Sequence, residues 1–337
     1  MSFWRGKRIL ITGINGFIGG NLAKYFVEAD AEVTGLERNL DRRSFLHSEG
    51  LSSSLRLVRG DLCDRAFMER VVAEGFFDFC FHLAAQVEVG VGLQSPYTTF
   101  ETNTRGTYTL LDALRCHAPH LQAIIVASTD KAYGEYPATA MPYREHYPLK
   151  PRYPYDTSKA CADMIAQSYA SDVYGLPVVV TRFCNIYGPG QLNFSALIPD
   201  SIRAALKRGT FVPRGDGSHV RDFIFVNDVV ALYARIAEQT SSDPARYQGC
   251  VYNAGTNEPR TVRDVVEAIF RKCNNTRDLE VVINQMTSAR TTGEISVQFM
   301  DFDVVSQEFG WSPSTSFDKG LDQTISWFDE YLSNDTE

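Results

Sequence analysis

The segment RILITGINGFIG, residues 8–19, is a short β-branched run followed by three glycines in a G-x-x-G-x-x-G spacing, and a helical pattern starts at once. Glycines at this spacing let the chain turn tightly after a strand and bring amides and a helix N-terminus against a pyrophosphate. Because both strand and helix are present, the segment predicts a dinucleotide site. The predicted cofactor contacts here are Gly13, Asn15, Gly16, Phe17, Ile18 and Gly19.

The acidic residue at the end of the second apolar run indicates which dinucleotide binds. Glu37 lies eighteen residues past Gly19 at the end of the second run, where an acid is expected to bond the adenosine ribose hydroxyls. This favours NAD over NADP, with Arg38, Arg42 and Arg43 as the alternative holders of a 2′-phosphate. Arg38 is itself a predicted cofactor contact. The remaining predicted contacts are Asp61 and Leu62 after the third run, Leu83, Ala84 and Ala85 at the end of the fourth run, and Tyr155 and Lys159 further along the chain.

Six apolar runs in the first two hundred residues alternate with amphipathic stretches, which predicts a parallel sheet wrapped by helices. The runs are RILIT (8–12), AEVTGL (31–36), SLRLVRG (54–60), FDFCFHLAA (77–85), AIIVAST (123–129) and PVVVTRF (177–183). The stretches predicted as helices are 21–30, 66–75, 103–118, 156–175, 196–209, 226–239 and 261–272.

The predicted fold class is α/β, a Rossmann-type doubly wound parallel sheet with a smaller C-terminal α/β substrate lobe. Residues 1–185 form the predicted NAD-binding domain. After Asn185, loops rich in Gly and Pro predict the substrate lobe, mainly 186–337. Segments near 223–255 are expected to return to the first domain.

The composition of the chain argues against several classes of binding partner. The net charge of −8 offers no basic surface for nucleic acid or an anionic membrane. Seven cysteines are scattered without CxxC or Cys/His spacing, which predicts reduced thiols and no metal site. The N-terminus lacks the apolar run of a signal peptide, and no stretch approaches the roughly 20 apolar residues of a membrane span. These features predict a cytoplasmic protein with a small-molecule partner.

Tyr155 and Lys159 carry the strongest chemical signal. They lie four residues apart at the start of a predicted helix, which places them on one helical face. Free tyrosine has a pKa of about 10, so an adjacent ammonium and the cofactor's positive ring are needed to favour its phenolate. Thr129, at the end of an earlier run, is placed to share the proton of a substrate hydroxyl. With the glycine turn, these residues predict hydride removal at an alcohol carbon.

Seven motifs spread over almost the whole chain resemble the extended short-chain dehydrogenase/reductase family. They are TGxNGFIGG (12–20), FHLAAQ (81–86), TNTRGT (102–107), STDKAYG (128–134), YPYDTSK (153–159), RFCNIYGPG (182–190) and VRDFIFVNDV (220–229). Within it, the chain is most similar to nucleotide-sugar 4,6-dehydratases. FWRGKRILITG and PYxxSKxCAD resemble the CDP-glucose group more than the dTDP-glucose group. GEISVQ (293–298) and FGWSP (309–313) resemble the C-terminal end of the CDP-glucose and GDP-mannose groups.

The resemblance implies a reaction in three steps on a nucleotide-linked hexose. Hydride leaves C4 for NAD, water is lost across C5 and C6, and the hydride returns to C6. Asp130 matches the family's acid at the C6 hydroxyl. A Glu usually follows that Asp, whereas this chain has Lys131, as the CDP-glucose group also tolerates. Lys131 is thus the expected C5 base, with electrostatic support of the enolate or of Asp130 as the alternative, because a cationic Lys acts as a base only when its pKa is lowered.

The same resemblance implies substrate contacts in the second half of the chain. Asn185 is expected to hold the sugar or its phosphate. Arg221 is expected to pair with the diphosphate, to which a guanidinium offers two parallel bonds. The alternative for Arg221 is an ion pair with Asp222 or Asp228.

Four residues of the first half are expected near the same site. Gln86 and Glu88, after the fourth run, are expected to reach the hexose. Asn103 resembles a residue that braces the catalytic region from within its helix. His82, at the end of the fourth run, is expected to support the cofactor loop rather than to act in catalysis.

Two rival functions share part of this pattern. A 4-epimerase or decarboxylase of the same family would keep Tyr155 and Lys159, but enzymes of that kind usually carry small or neutral residues where this chain has Asp130 and Lys131. A nonenzymatic cofactor sensor would not need Thr129, Tyr155 and Lys159. The resemblance also suggests a homodimer that packs the helices near 97–117 and 156–173 as a bundle.

Overall fold

The six predicted runs all form strands of one parallel sheet in the computed structural model, which describes residues 2–288 and 295–334. A seventh strand from the second half of the chain completes that sheet. The strands are β1 (Arg8–Thr12), β2 (Glu32–Glu37), β3 (Arg56–Arg59), β4 (Phe79–His82), β5 (Ala123–Thr129), β6 (Val178–Phe183), β7 (Asn185–Tyr187), β8 (Val220–Arg221), β9 (Phe223–Phe225), β10 (Val251–Ala254), β11 (Arg260–Thr261) and β12 (Val297–Gln298).

Helices fill the crossovers and most of the second half of the chain. They are α1 (Phe17–Glu28), α2 (Phe45–Ser48), α3 (Arg65–Gly75), α4 (Val89–Gln94), α5 (Pro96–Phe100), α6 (Gly106–His117), α7 (Pro154–Tyr169), α8 (Leu197–Ala205), α9 (Val226–Ser242), α10 (Pro244–Tyr247), α11 (Val262–Lys272), α12 (Thr276–Ser288), α13 (Asp303–Phe309) and α14 (Phe317–Asn334).

The main sheet has the order β3-β2-β1-β4-β5-β6-β10. The direction of winding reverses between β1 and β4, where Thr12 pairs with His82 in register. In open parallel sheets, ligands bind outside the carboxyl ends of the strands at such a reversal. The α/β class and the Rossmann-type sheet predicted from the sequence are therefore confirmed.

Both faces of this sheet are buried, which explains why its strands are continuous apolar runs and not alternating ones. One face includes Ile9, Ile11 and Phe81 and packs against α1 and α9. The other includes Leu10 and Ile124 and packs against α3, α6 and α7. Helix α9 and strand β10, both from the second half of the chain, thus belong to the main sheet and its cover.

A third apolar cluster gives the second half of the chain a core of its own. It joins α8, α11, α12 and α14 around residues such as Ile202, Phe270 and Phe328. Two small sheets lie on this side, one pairing β7 with β9 and the other ordered β11-β8-β12. The division into domains 1–185 and 186–337 stays a prediction.

Several predicted helix bounds differ from those observed. Residues 103–118 were predicted as one regular helix, but a wider π-helical turn occupies Glu101–Arg105 before α6 begins. The predicted helix 156–175 starts earlier, at Pro154, and ends at Tyr169. In the second half, α10, α12, α13 and α14 were not predicted from the sequence.

Two further findings concern membrane spans and the state of the cysteines. None of the helices in the described residues is both long and apolar enough to cross a bilayer. All seven cysteines are free thiols. Of the motif GEISVQ, residues 293 and 294 lie outside the described residues.

Candidate active site

The glycine turn between β1 and α1 has the geometry that a dinucleotide needs. Gly13 has a φ of +73°, and a Cβ there would lie 2.7 Å from the Ala84 amide nitrogen. A Cβ at Gly19 would overlap the Gly13 carbonyl oxygen. Gly16 caps α1 without a side-chain hydrogen bond, so no side chain covers the first amides of the helix at Phe17 and Ile18.

Asn15 links this turn to the end of β2. Its Nδ2 donates to Glu37 Oε2 at 3.0 Å, while its Oδ1 is buried without a hydrogen-bond partner among the described residues. A buried polar atom that lacks a partner points to a ligand that supplies one. The turn therefore fits the predicted dinucleotide in shape and in polarity.

Glu37 is more firmly held than the sequence indicated. It is 3% exposed, and its Oε1 accepts from Arg59 Nε at 3.0 Å and Nη2 at 2.6 Å. Arg59 meets it because β2 and β3 pair with these two residues in register. Sequence analysis missed Arg59, since nothing in the residue pattern reveals strand register. Arg38 and Asp61 lie nearby and line one surface cleft, and Leu62 is buried.

The winding reversal is held by a buried histidine. His82 Nδ1 lies 2.8 Å from Thr12 Oγ1, and its Nε2 lies 2.9 Å from Thr107 Oγ1. Thr12 Oγ1 also accepts from the Leu83 and Ala84 amides, each at 3.2 Å. Burial and the nearby Lys159 lower the pKa of His82 to about 3, so its ring is neutral. These contacts agree with the role predicted for His82, which is to support the cofactor loop.

The end of β5 turns directly into the predicted acid and base. Asp130, Lys131 and Tyr133 form one 3₁₀ turn. Thr129 Oγ1 donates to Asp130 Oδ1 at 3.0 Å and accepts from the Lys131 amide at 3.3 Å. Burial raises the pKa of Asp130, against the lowering effects of Lys131, Thr129 and Arg221. A raised pKa suits a carboxyl group that must carry a proton in order to donate it.

Tyr155 lies in the first turn of α7, close to that carboxyl. Its pKa is raised by burial and by the charges of Asp130 and Asp156, while a hydrogen bond with Thr129 opposes the rise. The prediction that Tyr155 favours its phenolate form is therefore wrong when only the protein groups are considered. Burial and two neighbouring carboxyl groups favour the neutral phenol. Positive charge from a bound cofactor would have to supply the opposite effect.

Lys159 is buried one turn further along α7. Its Nζ donates to the Ala127 carbonyl oxygen of β5. Burial lowers the pKa of Lys159 to about 8, and the charge of Asp163 opposes this effect. The ammonium is thus anchored to the sheet at the level of Thr129.

Asp156 is a buried acid that sequence analysis missed. Burial raises its pKa to about 6, with Lys131 lowering it and Asp130 raising it further. Its position directly after Tyr155 could have been noticed, but its burial depends on how α7 packs against the turn at Asp130. Lys131 therefore has a carboxyl on each side.

The predicted brace at Asn103 joins three elements. Its Oδ1 accepts from the Gln86 amide at 2.7 Å, and its Nδ2 donates to the Gln86 carbonyl at 3.0 Å and to Ser158 Oγ at 2.8 Å. Ser158 Oγ in turn donates to the Tyr155 carbonyl at 2.7 Å. The Gln86 side chain is occupied as well, since its Oε1 accepts from Thr99 at 3.0 Å.

Three predicted substrate residues face the loops of the second half. Glu88 is exposed, and its Oε2 accepts from Ser195 Oγ at 3.4 Å. Asn185 is half-buried and its Nδ2 donates to the Asp222 carbonyl at 3.2 Å. Arg221 is 8% exposed, and its charge reaches Asp130, whose pKa it lowers.

Both carboxylates of the alternative ion pairs of Arg221 accept hydrogen bonds from other groups. Asp222 accepts from the Thr256 hydroxyl and from the Thr256 and Asn257 amides. Asp228 accepts from the Ser314 amide and hydroxyl and from the Thr315 amide. Arg221 Nη1 itself donates to the Val220 carbonyl at 2.8 Å.

The structure thus brings the predicted catalytic residues together where β5 ends and α7 begins. A hydroxyl, a phenol, a buried carboxyl and two lysines converge there. Such a set can move a proton at an alcohol and donate a second proton to a leaving hydroxyl.

Comparison with known proteins places this arrangement in one family. The family model described as GDP-mannose 4,6 dehydratase matches residues 10–324. A trifunctional UDP-glucose 4,6-dehydratase/UDP-4-keto-6-deoxy-D-glucose 3,5-epimerase/UDP-4-keto-L-rhamnose-reductase of Arabidopsis thaliana is 31% identical over 97% of the chain. The chain spans about half of that relative, covering 48% of its length.

Two solved structures are similar along nearly their whole length. The dTDP-glucose 4,6-dehydratase of Bacillus anthracis in complex with NAD has a TM-score of 0.81 at 29% identity, with 96% of this chain and 97% of that chain covered. The UDP-glucose 4-epimerase of Thermotoga maritima with UDP-glucose has a TM-score of 0.84 at 26% identity, with 96% and 99% covered. Backbone similarity alone therefore does not separate a dehydratase from an epimerase.

Proposed function

The chain belongs to the GDP-mannose 4,6-dehydratase family, within the extended short-chain dehydrogenases/reductases, and on that premise we propose that it is an NAD-dependent nucleotide-sugar 4,6-dehydratase. It is a hydro-lyase that converts an NDP-hexose to the NDP-4-keto-6-deoxyhexose. We further propose CDP-glucose as its substrate. This finer choice rests on the sequence resemblance, whereas the relatives named above are enzymes of UDP- and dTDP-glucose.

The observation that carries the proposal is the buried carboxyl of Asp130 between Thr129 and Lys131, beside Tyr155. A 4-epimerase needs only a group that moves the C4 hydroxyl proton, because its hydride returns to C4. A dehydratase needs an acid for the C6 hydroxyl as well. The raised pKa of Asp130 supports that second role, and it favours elimination over epimerisation.

Each of the proposed catalytic residues has its own role in the reaction. Tyr155 takes the C4 hydroxyl proton, with Thr129 sharing it and the Lys159 ammonium stabilising the developing negative charge. NAD would be held by the glycine turn and Glu37, and it would supply the acceptor for the C4 hydride and the donor for the hydride that C6 receives. Asp130 gives its proton to the departing C6 hydroxyl. Lys131 removes the C5 proton or stabilises the resulting enolate, and C5 regains a proton when C6 receives the hydride.

The cofactor and substrate contacts are proposals of the same kind. Glu37, held by Arg59 and Asn15, ends β2 at the position where an acid is expected to bond the ribose hydroxyls, and this position supports NAD over NADP. On the substrate side, the residues proposed to hold the nucleotide sugar are Gln86, Glu88, Asn185 and Arg221. The closeness of Arg221 to Asp130 supports a diphosphate lying beside the acid.

Assembly as a homodimer is also proposed. Large apolar side chains are exposed on the helices expected to form its interface, among them Tyr97 on α5, Tyr108 on α6 and Met164 on α7. Apolar surface of this kind is typical of protein interfaces. The cytoplasmic location stays a prediction.

A ligand panel tests the function and the nucleotide together. Among CDP-, UDP-, dTDP- and GDP-hexoses, CDP-glucose is expected to raise the midpoint of thermal unfolding at the lowest concentration, because a ligand stabilises the state that binds it. Incubation with the same sugar is expected to yield a 4-keto-6-deoxy product that absorbs in alkali. Recovery of only a C4 epimer would reject the dehydratase. A different preferred nucleotide with the same product would reject CDP-glucose alone.

The pH dependence of turnover tests the role of Lys159. Its pKa in the folded protein, about 8, lies below the ordinary value, so the ammonium is lost as pH rises through 8. Turnover at saturating substrate is expected to fall about tenfold between pH 7 and pH 9 for one group of that pKa. The groups facing the ammonium are the Ala127 carbonyl, neutral His82 and Asp163. Constant turnover up to pH 10 in protein that remains folded would contradict this role.

A further inference from the structure

A buried ion pair behind the site is not used by the proposed mechanism. Arg182 on β6 donates from Nε to Asp163 Oδ2 at 2.8 Å and from Nη2 to Asp163 Oδ1 at 3.0 Å. Their side chains are 4% and 0% exposed. Asp163 lies on α7, one turn beyond Lys159 and on the same helical face.

The third nitrogen of the same guanidinium holds the turn that carries the acid. Arg182 Nη1 donates to Tyr133 Oη at 2.8 Å, and Tyr133 closes the 3₁₀ turn that begins at Asp130. Tyr133 Oη donates in turn to Asn253 Oδ1 on β10 at 2.7 Å. The Tyr133 ring is fully buried and stacks on Tyr143.

This network therefore joins two structural elements, each of which carries part of the proposed set of catalytic residues. Helix α7 carries Tyr155 and Lys159, which act at C4. The turn after β5 carries Asp130 and Lys131, which act at C6 and C5. One planar guanidinium with fixed donor directions contacts both elements, and Arg182 is itself fixed on β6, where it pairs in register with Ser128 of β5.

A buried ion pair of this kind is weak support for stability alone, because desolvation offsets much of its Coulomb energy. Its directional bonds instead restrict geometry, and every polar group of a fully bonded network limits the others. The geometry points to Arg182 as a positioning residue, aided by Asp163 and Tyr133: we propose that it fixes the distance between the C4-oxidising helix and the turn that performs the elimination. This inference rests on the proposed function.

The test removes one hydroxyl from the network. Tyr133→Phe keeps the buried ring and its stacking but deletes the oxygen that joins Arg182 to Asn253. Tyr136→Phe is the matched control, since it removes a phenolic hydroxyl from the same segment that bonds only the Pro148 carbonyl. Arg182→Lys is a second variant, because it keeps the charge but cannot bond Asp163 at two oxygens and Tyr133 together.

Each protein is incubated with CDP-glucose, and two quantities are measured: the 4-keto-6-deoxy product and the enzyme-bound reduced cofactor at steady state. For Tyr133→Phe and Arg182→Lys, product formation is expected to fall about ten- to a hundredfold, as for a misplacement of about 1 Å. Reduced cofactor is expected to accumulate, because oxidation continues while elimination is impaired. Tyr136→Phe should match the wild type. A parallel fall of both quantities, or no change in either, would overturn the positioning role.

A second measurement needs no turnover and separates this inference from the function. Hydrogen exchange of the backbone amides in residues 130–134 is expected to accelerate in Tyr133→Phe and not in Tyr136→Phe. If the wild type converts no nucleotide hexose, the proposed function fails. The hydrogen-exchange result then tests by itself whether Arg182 positions the turn at residues 130–134. Equal exchange in the two variants would then overturn it.

Discussion

Tyr155→Phe is expected to lower turnover about a hundred- to ten-thousandfold, the range for loss of a positioned acid or base. The variant loses the phenolic oxygen that is proposed to take the C4 hydroxyl proton, while Lys159 keeps its bond to the Ala127 carbonyl. Both oxidation and product formation should fall together, because C4 oxidation precedes every later step. Steady-state turnover and the level of reduced cofactor measure this directly.

The fold should survive the same change. The Tyr155 hydroxyl contacts Thr129, whereas the backbone of this helical turn is braced by Ser158 and Asn103, which remain. Tyr169→Phe is the matched control, because it removes a hydroxyl from the far end of α7. Turnover of Tyr155→Phe within threefold of this control would remove Tyr155 from the reaction.

The second large effect is expected at the turn after β5, where changes should separate oxidation from elimination. Asp130→Asn is expected to lower product formation about a hundred- to ten-thousandfold, because an amide cannot protonate the departing C6 hydroxyl. Oxidation at C4 should continue, because Tyr155, Thr129 and Lys159, the residues proposed to act there, are unchanged. Reduced cofactor should therefore accumulate in this variant.

Lys131→Ala distinguishes the two roles proposed for Lys131. If Lys131 is the C5 base, oxidation persists but solvent deuterium no longer exchanges at C5, whereas Asp130→Asn still exchanges. Normal exchange in Lys131→Ala would remove Lys131 from the base role and leave electrostatic support. Production of an epimer by either variant would instead favour the rival function.

The residues proposed for catalysis and cofactor binding could be named from the sequence because each lies in a short local pattern. The glycine turn, the Tyr155–Lys159 spacing and the Thr129–Asp130 pair at a strand end each span a few residues. Local spacing of this kind determines which side chains share a helical face or follow one strand. The structure then brings these local patterns to one edge of the sheet, as parallel topology requires.

Residues that hold those groups in place were missed for the opposite reason. Arg59 meets Glu37, and Arg182 meets Tyr133, through pairings between segments 22 and 49 residues apart. Neither residue stands in a motif that indicates its partner. Asp156 was missed because its burial depends on the approach of α7 to the turn at Asp130.

The sequence by itself determined the α/β class and the dinucleotide turn and named Thr129, Tyr155 and Lys159, since these depend on periodicity and on spacing within one element. Asp130 and Lys131 were named through the family resemblance of the same segment. Only the tertiary structure decided the protonation tendencies, such as the raised pKa of Tyr155, and the partners of Glu37, His82 and Arg182. Those properties arise from strand register and from exclusion of water, and both are set by contacts between residues far apart in the chain.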